Sequence, residues 1–202
     1  MQKTTKPCTD SISAVVPAAG LSSRFGSFKP LFSLNGTPLV VKTVMSLLNG
    51  GVTSVTVVTG KNSEAVVRSL SSLTDKVTFV LNEDYAITDM FESVKKGISH
   101  LKDCSAFFIL PADMPYVTSD TISLLIDVFI KGDADVVFPL YDGHRKHPPL
   151  VSSGLKEDIC NYSGNDGLRG FWHFKADSLN YRDVQINDKG VLTDVDTPSD
   201  LI

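Results

Sequence analysis

Short apolar runs alternate with segments of helical periodicity along most of the chain. Ile12 to Pro17 is an apolar run carrying Val15-Val16 and closed by Ala-Ala-Gly, the pattern of a buried strand. Pro38 to Leu48 sets Leu39, Val40, Thr43, Val44, Leu47 and Leu48 at helical spacing and stops at Asn49-Gly50-Gly51. The β-branched segment Ser54 to Thr59 predicts a strand ending at Gly60. A helix is expected over roughly 63–73, a strand over 77–81, and a helix over about 89–101 with Thr88 or Asp89 as its cap. Ala106 to Pro111 is the most apolar strand, with Phe107-Phe108-Ile109-Leu110, and it empties into Ala112-Asp113-Met114-Pro115. A helix over 118–131, capped by Thr118 or Ser119 and ended by Gly132, and a strand over 135–140 complete the alternation.

Strands alternating with amphipathic helices predict an α/β domain: a three-layer, doubly wound, mostly parallel sheet of Rossmann-like form. Tyr141-Asp142-Gly143 then reads as a turn, and Pro149-Leu150-Val151-Ser152 as a strand returning beside its predecessor. This is a small β-hairpin excursion, not a second domain. The expected organisation is a disordered polar tail over 1–10 and a single domain over 11–202.

Bulk properties narrow the function classes. The chain has 202 residues, 42% hydrophobic and 21% charged, enough for one full core. Its net charge of −4 argues against a basic stripe for nucleic acid. Cys8, Cys104 and Cys160 are far apart and form no CxxC pair, which disfavours a zinc site or disulfide framework and suits a reducing cytoplasm. No apolar run approaches the roughly 18–20 residues of a membrane span.

In open α/β sheets, ligands sit beyond the carboxyl ends of the strands. The loop after the first strand holds Gly20 and Gly26 but neither GxGxxG nor GxxxxGK[ST], so the dinucleotide and Walker readings fail. A glycine-containing loop with Arg24 and Lys29 remains, able to wrap phosphate with backbone N–H groups and two cations. A solvated surface loop is the competing reading.

The segment Ala18-Ala19-Gly20-Leu21-Ser22-Ser23-Arg24-Phe25-Gly26-Ser27-Phe28-Lys29 resembles the AAGxSxRxGxxK signature of the nucleotidyltransferases that activate sugars, isoprenoid precursors and molybdopterin. Further blocks follow in the family order: Asn82-Glu83-Asp84-Tyr85 with Met90 to Lys95, Asp113-Met114-Pro115, Pro139 to Gly143 with His147-Pro148, and Asp194-Val195-Asp196-Thr197-Pro198. Within that superfamily the chain is most similar to the molybdenum cofactor cytidylyltransferases. It departs from the pattern at Pro17, where an apolar residue with an N–H is usual, and at Lys146, where the family has Gly before His-Pro.

The resemblance implies a nucleotide site formed by Ala18, Ala19, Gly20, Ser22, Arg24, Lys29, Gly60, Asn82 and Ser93. Lys29 would face the α-phosphate and Arg24 the β- and γ-phosphates. Asp113 and Asp196 would hold Mg²⁺ or Mn²⁺, with Asp194 two residues from the second; a turn or helix-cap role competes for both acids. Ala19 stands where guanosine-donor enzymes carry Gly, and its methyl favours CTP. His147 and Arg169 would meet the acceptor, molybdopterin or molybdenum cofactor, with a molybdenum hydroxylase receiving the product. The aromatics of Phe171-Trp172-His173-Phe174 read as core and helix packing. Lys146 keeps open a sugar or alditol phosphate as acceptor, and a cofactor-delivery chaperone without chemistry is the rival of a different class.

Overall fold

A computed structural model of the chain describes residues 11–20, 22, 25–26, 28–195 and 200. The tail over 1–10, Arg24 and Asp196 lie outside them. The first strand, β1, is Ile12–Ala18, and a short hairpin of β2 (Ser33–Leu34) and β3 (Thr37–Pro38) follows. Asn35 (φ 53°) and Gly36 (φ 82°) make its turn, the pairing that a two-residue hairpin loop requires. Then come α1 (Leu39–Asn49), β4 (Ser54–Thr59), α2 (Ser63–Ser69), β5 (Val77–Leu81), α3 (Met90–Ser99), β6 (Ala106–Ile109) and α4 (Ser119–Lys131). The last part is β7 (Val136–Tyr141), β8 (His144–Arg145), β9 (Leu150–Ser152), α5 (Lys156–Asn161), α6 (Gly167–Phe174) and β10 (Tyr181–Gln185).

The main sheet runs β10-β7-β9-β6-β1-β4-β5, with β8 paired to β7. All pairings along it are parallel except those of β9, which lies antiparallel between β6 and β7. The expected hairpin is therefore real at its tip, where Tyr141 pairs His144. Its returning strand is more than an excursion: it joins β7 to β6 inside the main sheet.

Strand alternation divides the buried runs between two helical layers. Ala14 and Val16, Val55 and Val57, Phe108, Val137 and Leu150 join a core with Val40, Val44 and Leu47 of α1 and Ile122, Leu125 and Phe129 of α4. The intervening Val15, Val58, Phe107, Ile109, Val136 and Val151 pack with Phe91, Val94 and Ile98 of α3, Ile159 of α5 and Phe171 of α6. Gly97 lets α3 lie close on the sheet: a Cβ there would sit 2.4 Å from Val15 Cγ1 and 2.9 Å from Val58 Cγ2.

Helix ends follow local chemistry. Thr118 Oγ1 accepts the Thr121 N–H at 3.3 Å and Asp89 Oδ1 the Glu92 N–H at 3.0 Å, satisfying first-turn donors of α4 and α3. Among the described residues, no helix is long and apolar enough to cross a membrane.

Candidate active site

The chain leaves β1 for β4 and β5 on one side and returns to β6 on the other, so the carboxyl ends of β1 and β6 flank a switch in strand order. A crevice of about 250 Å³ opens there. Ala18, Ala19, Gly20 and Ser22 of the first loop form one wall, Pro111, Ala112 and Asp113 another, and Tyr85, Thr88 and Ser93 a third. Pro17 pairs within the parallel ladder opposite Val58, and its carbonyl accepts the Ala112 N–H at 3.2 Å. The proline lacks a donor yet still helps to hold the segment after β6 that carries Asp113.

Lys29 and Asp113 meet at the crevice, Nζ donating to Oδ2 at 2.9 Å, with side chains 12% and 23% exposed. Their backbones are fixed independently. The Lys29 N–H donates to Ser22 Oγ at 3.0 Å, and Ser22 itself sits at φ 53°, bending the loop back over the lysine. Thr43 Oγ1 donates to the Ala112 carbonyl at 3.2 Å, and the Val195 N–H to the Asp113 carbonyl at 2.9 Å. That last bond draws Asp194 and Val195 alongside Asp113.

On the third wall, Asn82 is buried and not itself a wall residue. Its Nδ2 donates to Ser93 Oγ and Thr88 Oγ1, both at 3.1 Å, and its Oδ1 accepts the Asp84 N–H at 3.2 Å. Asn82 thus shapes the 82–88 loop, and Ser93 is the member of the pair that faces the crevice. Gly60 lies behind Ala19: a Cβ there would come within 2.8 Å of the Ala19 carbonyl oxygen and 2.7 Å of Tyr85 Cβ. Its place is one of close approach rather than of a wall.

The acceptor candidates gather elsewhere. His147 and Arg169 line a second cavity of about 550 Å³ with Lys146, Trp172, His173 and Tyr181. The His147 ring contacts the Ile109 carbonyl through Nδ1 at 3.3 Å. Burial pushes its pKa below the ordinary histidine value, against that contact and the Asp113 and Asp194 charges, which act to raise it. The imidazole is therefore neutral at pH 7, and it stands between the second cavity and the Asp113 end of β6. Arg145 holds Asp183 by two bonds of 2.7 and 3.2 Å while lying over Phe138 and Tyr181.

Sequence reasoning passed over Tyr85, Thr88 and Asp89 at the crevice and Trp172, His173 and Tyr181 at the second cavity. Phe171 is core as expected, whereas Trp172 and His173 face the cavity and Phe174 is exposed. The helical spacing of α6 carried that signal, since Trp172 and His173 follow Leu168 and Arg169 by one turn.

No group of three or more His, Cys, Asp or Glu side chains gathers among the described residues. Asp113 alone fits the habit of Mg²⁺, which takes one or two carboxylates and completes its shell with water and substrate phosphate. Asp194 is exposed beside it.

A family model of the MobA-like NTP transferase domain matches residues 14–179. The chain is 27% identical over 173 residues to a probable molybdenum cofactor guanylyltransferase of Natranaerobius thermophilus, covering 77% of this chain and 71% of that protein. It is 24% identical to the molybdenum cofactor cytidylyltransferase of Escherichia coli, covering 95% and 94%. It is also 26% identical to nicotine blue oxidoreductase of Paenarthrobacter nicotinovorans, covering 98% and 96%. Among solved structures, a nucleotidyl transferase from Methanothermobacter superposes with a TM-score of 0.80 at 24% identity, covering 95% of this chain and 94% of that one. That likeness confirms the doubly wound α/β fold.

Proposed function

The chain belongs to the MobA-like NTP transferase family and is a nucleotidyltransferase, and on that premise we propose that it transfers CMP from CTP to the terminal phosphate of molybdopterin or molybdenum cofactor. The observation that carries the reading is the Lys29–Asp113 pair at the switch point, a cation and a carboxylate held 2.9 Å apart where the first loop and the end of β6 converge. An apposed triphosphate and divalent metal would split this pair, the lysine turning to phosphate and the aspartate to metal.

A phosphate oxygen of the acceptor attacks the α-phosphorus, the bond to the bridging oxygen breaks, and pyrophosphate leaves in line. The nucleophile is an anion near neutral pH, so no general base is required. Lys29 neutralises charge growing on the α-phosphate, and Arg24 is assigned to the β- and γ-phosphates. Asp113, with Asp196 as second carboxylate, would hold Mg²⁺ or Mn²⁺, which supplies charge neutralisation on the triphosphate. The loop backbone from Ala18 to Gly20 and Ser22 positions the phosphates.

The buried Ala19 methyl narrows the base end of a small crevice and supports a pyrimidine; Ser93, set by Asn82, offers it a polar contact. Gly60 allows Tyr85 and Ala19 to close on one another there. His147 and Arg169 are assigned to the acceptor. A molybdenum hydroxylase is the proposed recipient of the product, and the cytoplasm, suited to the unpaired thiols of Cys104 and Cys160, the proposed place.

Pyrophosphate release with CTP, GTP, ATP and UTP, with and without molybdopterin, tests the reading. Release that needs molybdopterin and is fastest with CTP is expected. Preference for GTP would overturn the donor assignment, and release driven by a sugar or alditol phosphate the acceptor assignment. Tight cofactor binding without pyrophosphate would make the chain a delivery protein. A redox reading, drawn from the name of the relative nicotine blue oxidoreductase, would instead predict consumption of a reductant and no pyrophosphate.

A further inference from the structure

The segment from Pro111 to Thr118, which carries Asp113, is bonded to three other parts of the chain. Helix α1 supplies two hydroxyls: Thr43 Oγ1 donates to the Ala112 carbonyl at 3.2 Å and Ser46 Oγ to the Val117 carbonyl at 2.5 Å. The Val195 N–H donates to the Asp113 carbonyl at 2.9 Å. The third anchor lies just after β10. Asp188 Oδ2 accepts the Thr118 N–H at 2.9 Å, the Thr118 hydroxyl at 2.9 Å and the Thr121 hydroxyl at 2.8 Å, while Oδ1 accepts the Gly190 N–H at 2.8 Å.

The two oxygens of Asp188 therefore face different partners: Oδ2 the start of α4, and Oδ1 the 3-10 turn Lys189–Leu192. Gly190 closes the same junction by contact. A Cβ there would run into the Tyr116 carbonyl and stand 2.8 Å from the Val117 nitrogen. Those are backbone atoms, which cannot swing aside as the end of a side chain can. From Gly190 the chain turns back at once, the Thr193 N–H donating to the Gly190 carbonyl at 3.4 Å. Val195 is then buried with Phe25, Leu34 and Leu39, and Tyr116 packs against them. Asp194 is left exposed, and its charge and that of Asp113 both act on the buried His147 ring. Two acids from distant parts of the chain thus face one place, and the junction at Asp188 and Gly190 joins the segments that carry them.

Resting on the transfer reading above, with Asp113 holding the divalent cation, we propose that Asp188 and Gly190 are positioning residues. They seat the acidic segment that begins at Asp194 against Asp113, and so set how tightly the site takes that cation. Loosening the junction lets Asp194 drift from Asp113 while the sheet stays whole. A supporting role alone would lower the melting temperature and leave the affinity for metal where it was.

The full chain without nucleotide is titrated with Mn²⁺, and loss of the free-ion signal in electron paramagnetic resonance reads binding. Asp113→Ala, which should abolish that binding, marks the site. Asp188→Ala and Gly190→Ala should each weaken Mn²⁺ about tenfold, the scale on which outer partners of metal ligands act. Gly97→Ala, overpacked between α3 and the sheet, is the control and should keep the parental affinity. Asp188→Asn covers the case in which Asp188→Ala does not fold. Its amide oxygen can still take the Thr118 and Thr121 bonds, but its NH₂ group cannot accept from Gly190. It should melt near the parent and still bind Mn²⁺ more weakly. In pyrophosphate release, the Mg²⁺ concentration for half-maximal rate should rise by about the same factor, with most of the rate recovered at saturating Mg²⁺. Parental Mn²⁺ affinity in both Asp188→Asn and Gly190→Ala overturns the proposal, as does equal weakening in Gly97→Ala or Mn²⁺ binding that survives Asp113→Ala. Parental affinity in those two variants, with CTP-driven pyrophosphate release intact, removes the positioning role and sustains nucleotidyl transfer. The expected affinities with no pyrophosphate from any nucleotide sustain the positioning role and overturn the transfer reading.

Discussion

Lys29→Ala removes the cation that the structure sets on Asp113, and its two consequences differ sharply in size. A positive charge about 4 Å from a growing negative charge, at an effective dielectric near 20, is worth about 4 kcal/mol. Loss of a single positioned donor to a developing oxyanion costs about 2.7–4 kcal/mol, or about 10²–10³ in kcat. The effect on stability is much smaller. Exposed ion pairs contribute about 0–1 kcal/mol, and this pair, at 12% and 23% exposure, lies somewhat deeper. Asp113 left alone keeps its access to water, so the loss should stay near about 1 kcal/mol, or about 2–4 °C in Tm for a chain of this size. The assay is initial-rate pyrophosphate release at saturating nucleotide, beside a thermal melt of the same preparation. A fall in kcat of about a hundredfold or more with a melt shifted by only a few degrees is the expected pair of results. A variant within about threefold of the parent rate refutes the role given to Lys29. A variant that fails to fold refutes the separation of the two effects, and Lys29→Arg, which keeps the charge, should then fold and retain part of the activity.

Other expectations rest on packing and titration. Gly97→Ala should cost about 1–3 kcal/mol by overpacking, because its methyl would press on Val15 and Val58, and the melt should show it directly. Asp188 accepts from Thr118 N at 2.9 Å, Thr118 Oγ1 at 2.9 Å, Thr121 Oγ1 at 2.8 Å and Gly190 N at 2.8 Å, so Asp188→Ala should cost about 1–3 kcal/mol in chemical denaturation. Burial acts to raise the carboxyl pKa of Asp188, but those four bonds together carry it below the usual carboxylate value. Its stabilisation is therefore present above that usual value and lost as pH falls through the lowered native one, and Asp188→Ala should lack this acid step. His147 is the opposite case of charge: its native pKa lies below the ordinary value, so below about pH 6.5 the unfolded chain binds the proton first. Stability should fall as pH drops from there and level off below the native pKa, and His147→Gln should flatten that limb of the profile.

The limits of legibility trace to particular residues. The runs in β1, β4 and β6 are readable as strands because they are almost wholly apolar or β-branched. For the same reason they did not show which side chains face which layer; only pairing separates Ala14 and Val16 from Val15. β10 escaped notice because Tyr-Arg-Asp-Val-Gln lies at the sheet edge with mostly exposed positions, so burial leaves no apolar run. β9 was visible as a strand but not as the antiparallel strand between β6 and β7, since strand order is a tertiary matter. At the site, Lys29 and Asp113 lie 84 residues apart, and a family resemblance, not spacing, joined them before the structure did. The 82–88 loop showed the reverse. Asn82 carries the right chemistry for a base contact, yet its amide is spent on Thr88 and Ser93, which no linear reading could reveal.

The central claim is that the crevice between β1 and β6 holds a triphosphate for transfer of its nucleotidyl group. It is tested most directly by the fate of label from CTP incubated with Mg²⁺, molybdopterin and the full chain. Label at the α-phosphorus should appear in the acceptor-linked product, and label at the γ-phosphorus in pyrophosphate, with both losses equal and both slowed about a hundredfold or more in Lys29→Ala. Release of γ label as orthophosphate, or α label that never reaches the acceptor, would contradict it.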